Sequence, residues 1–405
     1  MRYNLALPLL ATSAIAVPYG PFTSILTSPV EAESSSLPVG RTPLSRVDMV
    51  ELGRLALAVN SAYCPTERKL QPHPSSGLTI QERKRKRHDY NARTQEGSSI
   101  IRSSEDGEYT GVNNQEGMKW YISHTPSTDT LTLAFSSLKS TDDLLELLAS
   151  SPTNPDETLI SLPSTLFPPN QLANLTGSSG SRSQPKVHHS YRSALFSQGE
   201  PALQAILELI DTPPLTMLTP ADVLKSYIAS FRAPEAGVSS RPIKKIDIVG
   251  HGLGSAIGLL VALSLQLELS NPSLPAPSSS PIAISATLFG LPRVGDKAFA
   301  QLIDALTQAS TSSTPAHSSL RVHRVTSYAD TVAHLPERHL GLSHPSRGEI
   351  WIGADPRIGY ICVPEQQGRE SDACSASIAL ERTSLLDHNG PFAGVWIQPQ
   401  VCSSY

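Results

Sequence analysis

The five residues Gly250-His251-Gly252-Leu253-Gly254 are the part of this chain whose types and spacing speak most directly of chemistry. They come after an apolar, isoleucine-rich segment, Ile243–Val249, and lead into an apolar helical pattern through Ala256, Leu259, Leu260, Leu263 and Leu267. Strand, tight glycine turn and helix are the parts of an acyl-transfer nucleophile elbow. Flanking glycines let a strained backbone pass close to its neighbours, and the central residue lifts an oxygen to the helix N-terminus. Gly250 and Gly254 stand at the flanks, yet Gly252 has no side-chain oxygen with which to attack a carbonyl. Ser255 carries the nearest hydroxyl, but one turn past the elbow it reads as a helix-start or packing residue. A glycine turn could also cradle phosphate. The run from Gly250 to Ser255 lacks the third glycine of a dinucleotide site, however, and no acidic residue ends a following strand. His188 and His189 stand together without a third ligand at a helpful spacing, so neither metal nor cofactor is expected.

The elements needed to position such a turn are legible around it. Asp48–Ser61 places Leu52, Leu55, Ala56 and Val59 at helical spacing and leads into Ala62-Tyr63-Cys64. Lys119–His124 and Thr130–Phe135 read as a strand pair, and Asp142–Ala149 as a short helix carrying Leu144, Leu145, Leu147 and Leu148. Val187-His188-His189-Ser190-Tyr191 reads as a strand before a helix that runs to about Ile210. Ile282–Phe289 and Arg321–Ser327 are further strands, with a helix over Asp296–Leu306 between them. Alternating strands and helices predict an α/β architecture, a mostly parallel central sheet covered by helices on both faces.

Composition bounds the rest. With 405 residues, 39% hydrophobic and 17% charged, the chain can build one large core. Its 34 prolines gather with serines in blocks such as Ser273–Pro281, which marks long loops. A net charge of −4 exerts no general pull on nucleic acid, and the one basic run, Arg83–His88, reads as an exposed loop or a dibasic processing site. The N-terminus resembles a secretory signal: Met1-Arg2-Tyr3, an apolar stretch from Leu5 to Val17, and small residues at Ala14-Ile15-Ala16. No later segment sustains the roughly 18 apolar residues of a membrane span. The expectation is a secreted protein with a signal over residues 1–16, a Pro/Ser-rich segment over 17–45 and one domain over 46–405, with insertions near 65–117 and 165–185. Four cysteines suit an oxidising compartment, and Asn174-Leu175-Thr176 is a glycosylation sequon in a polar loop.

The elbow and the motifs downstream of it resemble those of the fungal class 3 lipases. Gly250–Ala256 is similar to their Gly-His-Ser-Leu-Gly-Gly-Ala, with glycine in place of serine. Downstream, Phe289-Gly290-Leu291-Pro292-Arg293-Val294-Gly295-Asp296 and Tyr328–Pro336 keep the family's order, as does Leu386-Asp387-His388. Val187–Tyr191 resembles the family's Val-His-x-Gly-Phe strand, and Gly348–Ile352 its Gly-x-Glu-x-Trp hairpin. The match spans roughly residues 48 to 402. It implies an α/β-hydrolase fold with Asp330 as the acid and His388 as the base of a triad whose nucleophile position, Gly252, is vacant. It also implies oxyanion amides at Leu253 and Leu138, disulfides Cys64–Cys402 and Cys362–Cys374, and a lid. Where the family reads Phe-Arg-Gly-Thr/Ser, this chain has Phe135-Ser136-Ser137-Leu138, so Leu138 offers an amide but no hydroxyl. Asp142–Ser150 fits an amphipathic lid that touches a lipid interface, and equally an ordinary packed helix.

Three functions are compatible with these residues. The first is a pseudo-lipase that retains an acyl or lipid-binding cleft. The second is an ester hydrolase of weak or unconventional activity, with His388 and Asp330 activating water. The third is a structural or host-interaction protein. The partner expected under the first two is a lipid or ester small molecule.

Overall fold

The computed structural model describes residues 40–64, 99–104, 118–138, 142–145, 158–176, 184–211, 243–270, 281–309, 319–364 and 370–398. Its strands are β1 (Arg41–Pro43), β2 (Ser99–Ser103), β3 (Trp120–Thr125), β4 (Thr130–Phe135), β5 (Leu159–Ser161), β6 (Lys186–His188), β7 (Lys245–His251), β8 (Ala283–Phe289), β9 (Gly295–Asp296), β10 (Ser319–Ser327), β11 (Leu342–Ser343), β12 (Glu349–Ile352) and β13 (Gly359–Cys362). The helices are α1 (Arg46–Ala62), α2 (Pro169–Thr176), α3 (His189–Ala194), α4 (Glu200–Asp211), α5 (Leu253–Leu269), α6 (Lys297–Ala309) and α7 (Leu385–His388); a π-helical turn, Leu195–Gly199, joins α3 to α4.

Nine strands form the main sheet in the order β1-β13-β12-β10-β8-β7-β4-β3-β2. The central strands β12, β10, β8, β7 and β4 are parallel, while both edges are antiparallel. The expected α/β-hydrolase architecture is thus present with a mixed sheet. A second sheet of four short strands runs β11-β9-β6-β5.

Alternation along the strands builds two cores. Leu133, Ile248 and Leu288 face one side, against the mostly apolar α5 and helices α4 and α6. Their neighbours Ala134, Val249 and Phe289 face the other, against Leu55, Ala56 and Val59 of α1. Helix α5 is buried nearly all round, which explains its lack of a polar face. Ser45 begins α1, its hydroxyl accepting from the Asp48 amide at 3.2 Å, and Asp48 adds a favourable charge to the first turn. The helix ends at Tyr63, which reaches the candidate site. By contacts the chain divides into Met1–Leu37, outside the described residues, and Pro38–Tyr405, which carries every element above.

Three sequence expectations are corrected, and a fourth is met over the residues described. Ser99–Ser103, inside the stretch read as an insertion, is an edge strand: its Ile-Ile pair suits a pleated surface, and a register shift between Ile100 and Arg102 bends it. The strand read over Val187–Tyr191 stops at His188, whose Nδ1 accepts from the Ser190 amide at 3.3 Å and so starts α3. Asn174 lies in α2 rather than in a loop, because Pro169 supplies a preset first helical residue. Asp142–Leu145 is helical, with Leu144 built into the larger core; the remainder of the expected lid helix, to Ser150, lies outside the described residues.

Cys362 and Cys374 form a disulfide, and Cys64 is also disulfide-bonded. Cys402 and the Arg83–His88 run lie outside the described residues. Among the described residues, no helix is long and apolar enough to cross a membrane.

Candidate active site

The site forms where the parallel strands end, at the carboxyl edge on which open α/β sheets commonly gather ligands. Parallel register sets Phe135 of β4 beside Gly250 of β7, and His251 beside Phe289 of β8. The chain then turns at Gly252, whose amide donates to the Phe289 carbonyl at 3.0 Å. Gly252 has φ 51° and ψ −120°, a conformation in which L side chains are strained. The flanking glycines are required by contact: a Cβ on Gly250 would strike the Gly254 carbonyl, and one on Gly254 would strike that of Ser136. Ser255 donates its hydroxyl to the Gly252 carbonyl at 2.6 Å and is fully buried, so it fastens the turn to the helix.

Asp330 and His388 come together from the loop after β10 and from α7. His388 Nδ1 lies 3.1 and 3.2 Å from the two Asp330 carboxylate oxygens. The Val332 amide also donates to Asp330, at 2.8 Å. Burial alone would raise the Asp330 carboxyl, but the His388 charge and hydrogen bond, with help from His251 and the Val332 amide, outweigh it and hold it low. A carboxylate accepting at Nδ1 puts the proton there and leaves the Nε2 lone pair free in the neutral ring. His388 is 1% exposed and its Nε2 has no hydrogen-bond partner. It faces the elbow: a Cβ placed on Gly252 would stand 3.0 Å from that nitrogen.

His251 braces this histidine from behind. The rings stack at 4.4 Å, and His251 Nε2 lies 2.8 Å from the His388 carbonyl, which can only accept, so the proton belongs on Nε2. His251 Nδ1 then accepts from the Tyr63 hydroxyl at 2.6 Å, and Tyr63 in turn accepts from the Ser137 amide at 3.0 Å. Burial, then the nearby positive charge of His388, pushes His251 down to about 3, so it stays neutral. Helix α1, the loop after β4 and α7 are thereby tied into one hydrogen-bonded chain.

Two residues of the site escaped the sequence reading. Gly290, with φ 56°, lies against the acid and base; a Cβ there would come within 2.7 Å of His388 Nδ1 and 2.9 Å of Asp330 Oδ2. Its place directly after β8 in Phe289-Gly290-Leu291-Pro292 was the available signal. Ser137 is the other. Its Oγ accepts from the Leu253 amide at 3.1 Å, so that amide is already engaged. Leu138, a half-buried packing residue, brings no hydroxyl here, but its neighbour Ser137 does. Leu144 closes the remaining side, its Cδ2 3.2 Å from a Cβ placed on Gly252.

His188 serves as a helix cap, and burial, with the charge of His189, pushes it down to about 4. Among the described residues no group of three or more metal-binding side chains occurs.

The model of the class 3 lipase family matches residues 228–340. The chain is 33% identical over 123 residues to a secreted mono- and diacylglycerol lipase of Malassezia globosa, covering 30% of this chain and 33% of that protein. It is 28% identical over 158 residues to a lipase of Rhizopus niveus, covering 39% of this chain and 34% of that protein. These alignments span about a third of the length of either relative. The crystal structure of a lipase from Rhizopus microsporus var. chinensis superposes with a TM-score of 0.51 at 18% identity, covering 91% of this chain and 95% of that one, which establishes the fold. With its elbow, its strand order and these likenesses, this chain is a protein similar to the fungal class 3 lipases, with an α/β-hydrolase fold.

Proposed function

We propose that this protein is a secreted pseudo-lipase: a lipase-like site that keeps a cleft for a lipid ester and the acid–base pair Asp330 and His388, but cannot form an acyl-enzyme at residue 252. The observation that carries this reading is the free Nε2 of His388 directed at a strained elbow whose central residue has no side chain. In a serine hydrolase the base takes the hydroxyl proton and later returns it to the leaving alcohol, while the acid orients the ring and stabilises its charged form. In this reading His388 and Asp330 take those two roles, supported by the 3.1 Å contact between Nδ1 and the carboxylate; what is missing is the oxygen between base and carbonyl. The proposal extends to a signal over residues 1–16, a Cys64–Cys402 bridge, a glycan at Asn174 and contact with a lipid interface through Asp142–Ser150. Secretion is supported by the relative from Malassezia, which is named as secreted.

The experiment is hydrolysis of a short-chain and a long-chain chromogenic ester by the purified protein and by variants carrying Gly252→Ser, alone and with His388→Ala. The expected result is a silent wild type and a gain with Gly252→Ser that the second change removes. A wild type that turns over and depends on His388 sinks the proposal. A second reading, slow hydrolysis by water that His388 activates, is favoured by the same free nitrogen and predicts that latter outcome.

A further inference from the structure

Beyond the missing nucleophile, we infer that Ser137 disarms the site a second time: its hydroxyl sits in the oxyanion position and fills the room a serine side chain at residue 252 would need. This inference rests on the lipase-like reading of the elbow and deepens it by assigning a ligand-gating role to a residue of the loop after β4.

In an elbow of this kind the amide after the nucleophile points at the oxygen that becomes negatively charged in the tetrahedral intermediate, at about 2.7–3.1 Å. Here that amide is Leu253 N–H, and an oxygen already lies 3.1 Å from it, the Oγ of Ser137. The same Oγ is only 2.6 Å from where a Cβ on Gly252 would stand. Ser137 is 3% exposed and its amide is held by Tyr63, so it belongs to the buried wall of the site rather than to a surface loop. The hydroxyl therefore imitates the carbonyl oxygen of a bound ester and competes with it for the one elbow amide.

Gly252 and Ser137 fit each other sterically. A serine at residue 252 would bring its Cβ closer to the Ser137 oxygen than non-bonded atoms come, so the introduced side chain and the Ser137 hydroxyl cannot both keep these places. An ester carbonyl entering the site would have to displace the same hydroxyl. Restoring the nucleophile alone thus leaves the Ser137 hydroxyl competing for the oxyanion amide. Removing the Ser137 side chain opens it, and residue 137 becomes the determinant of whether the cleft grips an ester carbonyl or merely accommodates a lipid.

The test uses the full-length protein with Gly252→Ser, Ser137→Gly, both together, and Gly252→Ser with Ser137→Ala. Each is treated with an alkyl fluorophosphonate. This reagent forms a phosphorus–oxygen bond to an activated serine with loss of fluoride, its phosphoryl oxygen entering the oxyanion position. Labelling rates are mapped to residues by peptide mass spectrometry, and thermal unfolding confirms that each variant is folded. The expected result is labelling of the introduced serine about 100-fold faster in the double variant than in Gly252→Ser alone, the scale of one oxyanion donor. Ser137→Ala should match Ser137→Gly, since both remove the hydroxyl. Equal rates in the single and double variants overturn this inference and leave the vacant-nucleophile reading standing. No labelling in any folded variant overturns both. Labelling of Ser137 itself in the wild-type protein, dependent on His388, also overturns both, because the hydroxyl would then be a nucleophile rather than a plug.

Discussion

Two residues along the chain separate Gly290, which faces Asp330 and His388, from Arg293, which anchors a second buried polar cluster. The two clusters are finished differently. Arg293 is forked onto Glu370 at 2.9 and 3.0 Å and donates its remaining nitrogen to the carbonyls of His334 and Pro336. Glu370 also receives Arg338 and the His344 amide, so each of its oxygens is used. The Asp330–His388 pair, by contrast, is satisfied at one end only and stops at a bare Nε2. Leaving a buried polar atom without a partner costs about 1–3 kcal/mol, a cost the Arg293–Glu370 pair avoids at every charged atom. A closed cluster holds loops together, whereas an open one offers a bond to something that enters. The difference is what the proposed function builds on.

This contrast can be broken at either end. The largest effect is expected at the open end. In a variant re-armed by Gly252→Ser and Ser137→Gly, adding His388→Ala should remove all of the restored turnover, a loss of up to about six orders of magnitude measured as kcat on a chromogenic ester. Asp330→Asn in the same background should cost about 10⁴-fold, because an amide can no longer fix the Nδ1–H tautomer. A variant indifferent to both changes would show that the pair is merely a buried structural contact.

At the closed end the expected damage is to stability. Arg293→Met leaves the buried Glu370 carboxylate with Arg338 and the His344 amide but without its forked partner, and should lower unfolding free energy by about 3–5 kcal/mol in a denaturant titration. Long-chain lipid binding by the folded fraction should be unchanged. A smaller cost, about 1–3 kcal/mol, is expected for Gly252→Ser, since a side chain at φ 51° is strained; an unchanged unfolding midpoint would count against a strained elbow.

The smallest effect is in pH dependence. Burial alone would raise the Glu370 carboxyl, but hydrogen bonds from Arg293, the charges of His344 and Arg293 and the His344 amide outweigh it and hold it far below its ordinary value of 4.5. A carboxyl depressed in the folded state stabilises fully above its unfolded value, and that contribution is lost as pH falls below about 4.5. His251, pushed down to about 3 from 6.5, acts over a higher window: the unfolded chain takes up a proton that the folded one refuses, so stability also falls between these two values. Glu370→Gln should therefore flatten the loss only at its acidic end, and His251→Asn the earlier part, in unfolding curves followed across pH.

Much of this molecule was legible in its residues. The glycine-flanked turn after Ile243–Val249 and the helix after it were read from local pattern, and the carboxylate and histidine from the order of the motifs downstream. Strand alternation and helical spacing are properties of neighbours in sequence, set by backbone geometry within a few residues. Ser99–Ser103 escaped because so short an edge strand shows too little period, and α2 because its composition is that of a loop. Ser137 escaped for another reason: in sequence it is simply a serine where a glycine was expected, 116 residues from the Leu253 amide it meets.

The sequence by itself determined that an elbow exists, that residue 252 brings no nucleophile, and which acid and base were candidates to face it. Tertiary structure alone decided that Nε2 of His388 is left bare, that Gly290 makes room for the pair, and that the Leu253 amide is already taken by Ser137. The reason is range. Local pattern reports what a segment becomes, while a hydrogen bond depends on a few tenths of an ångström between atoms brought together from β4, α5, α7 and the loops after β8 and β10, and only the folded sheet sets those distances.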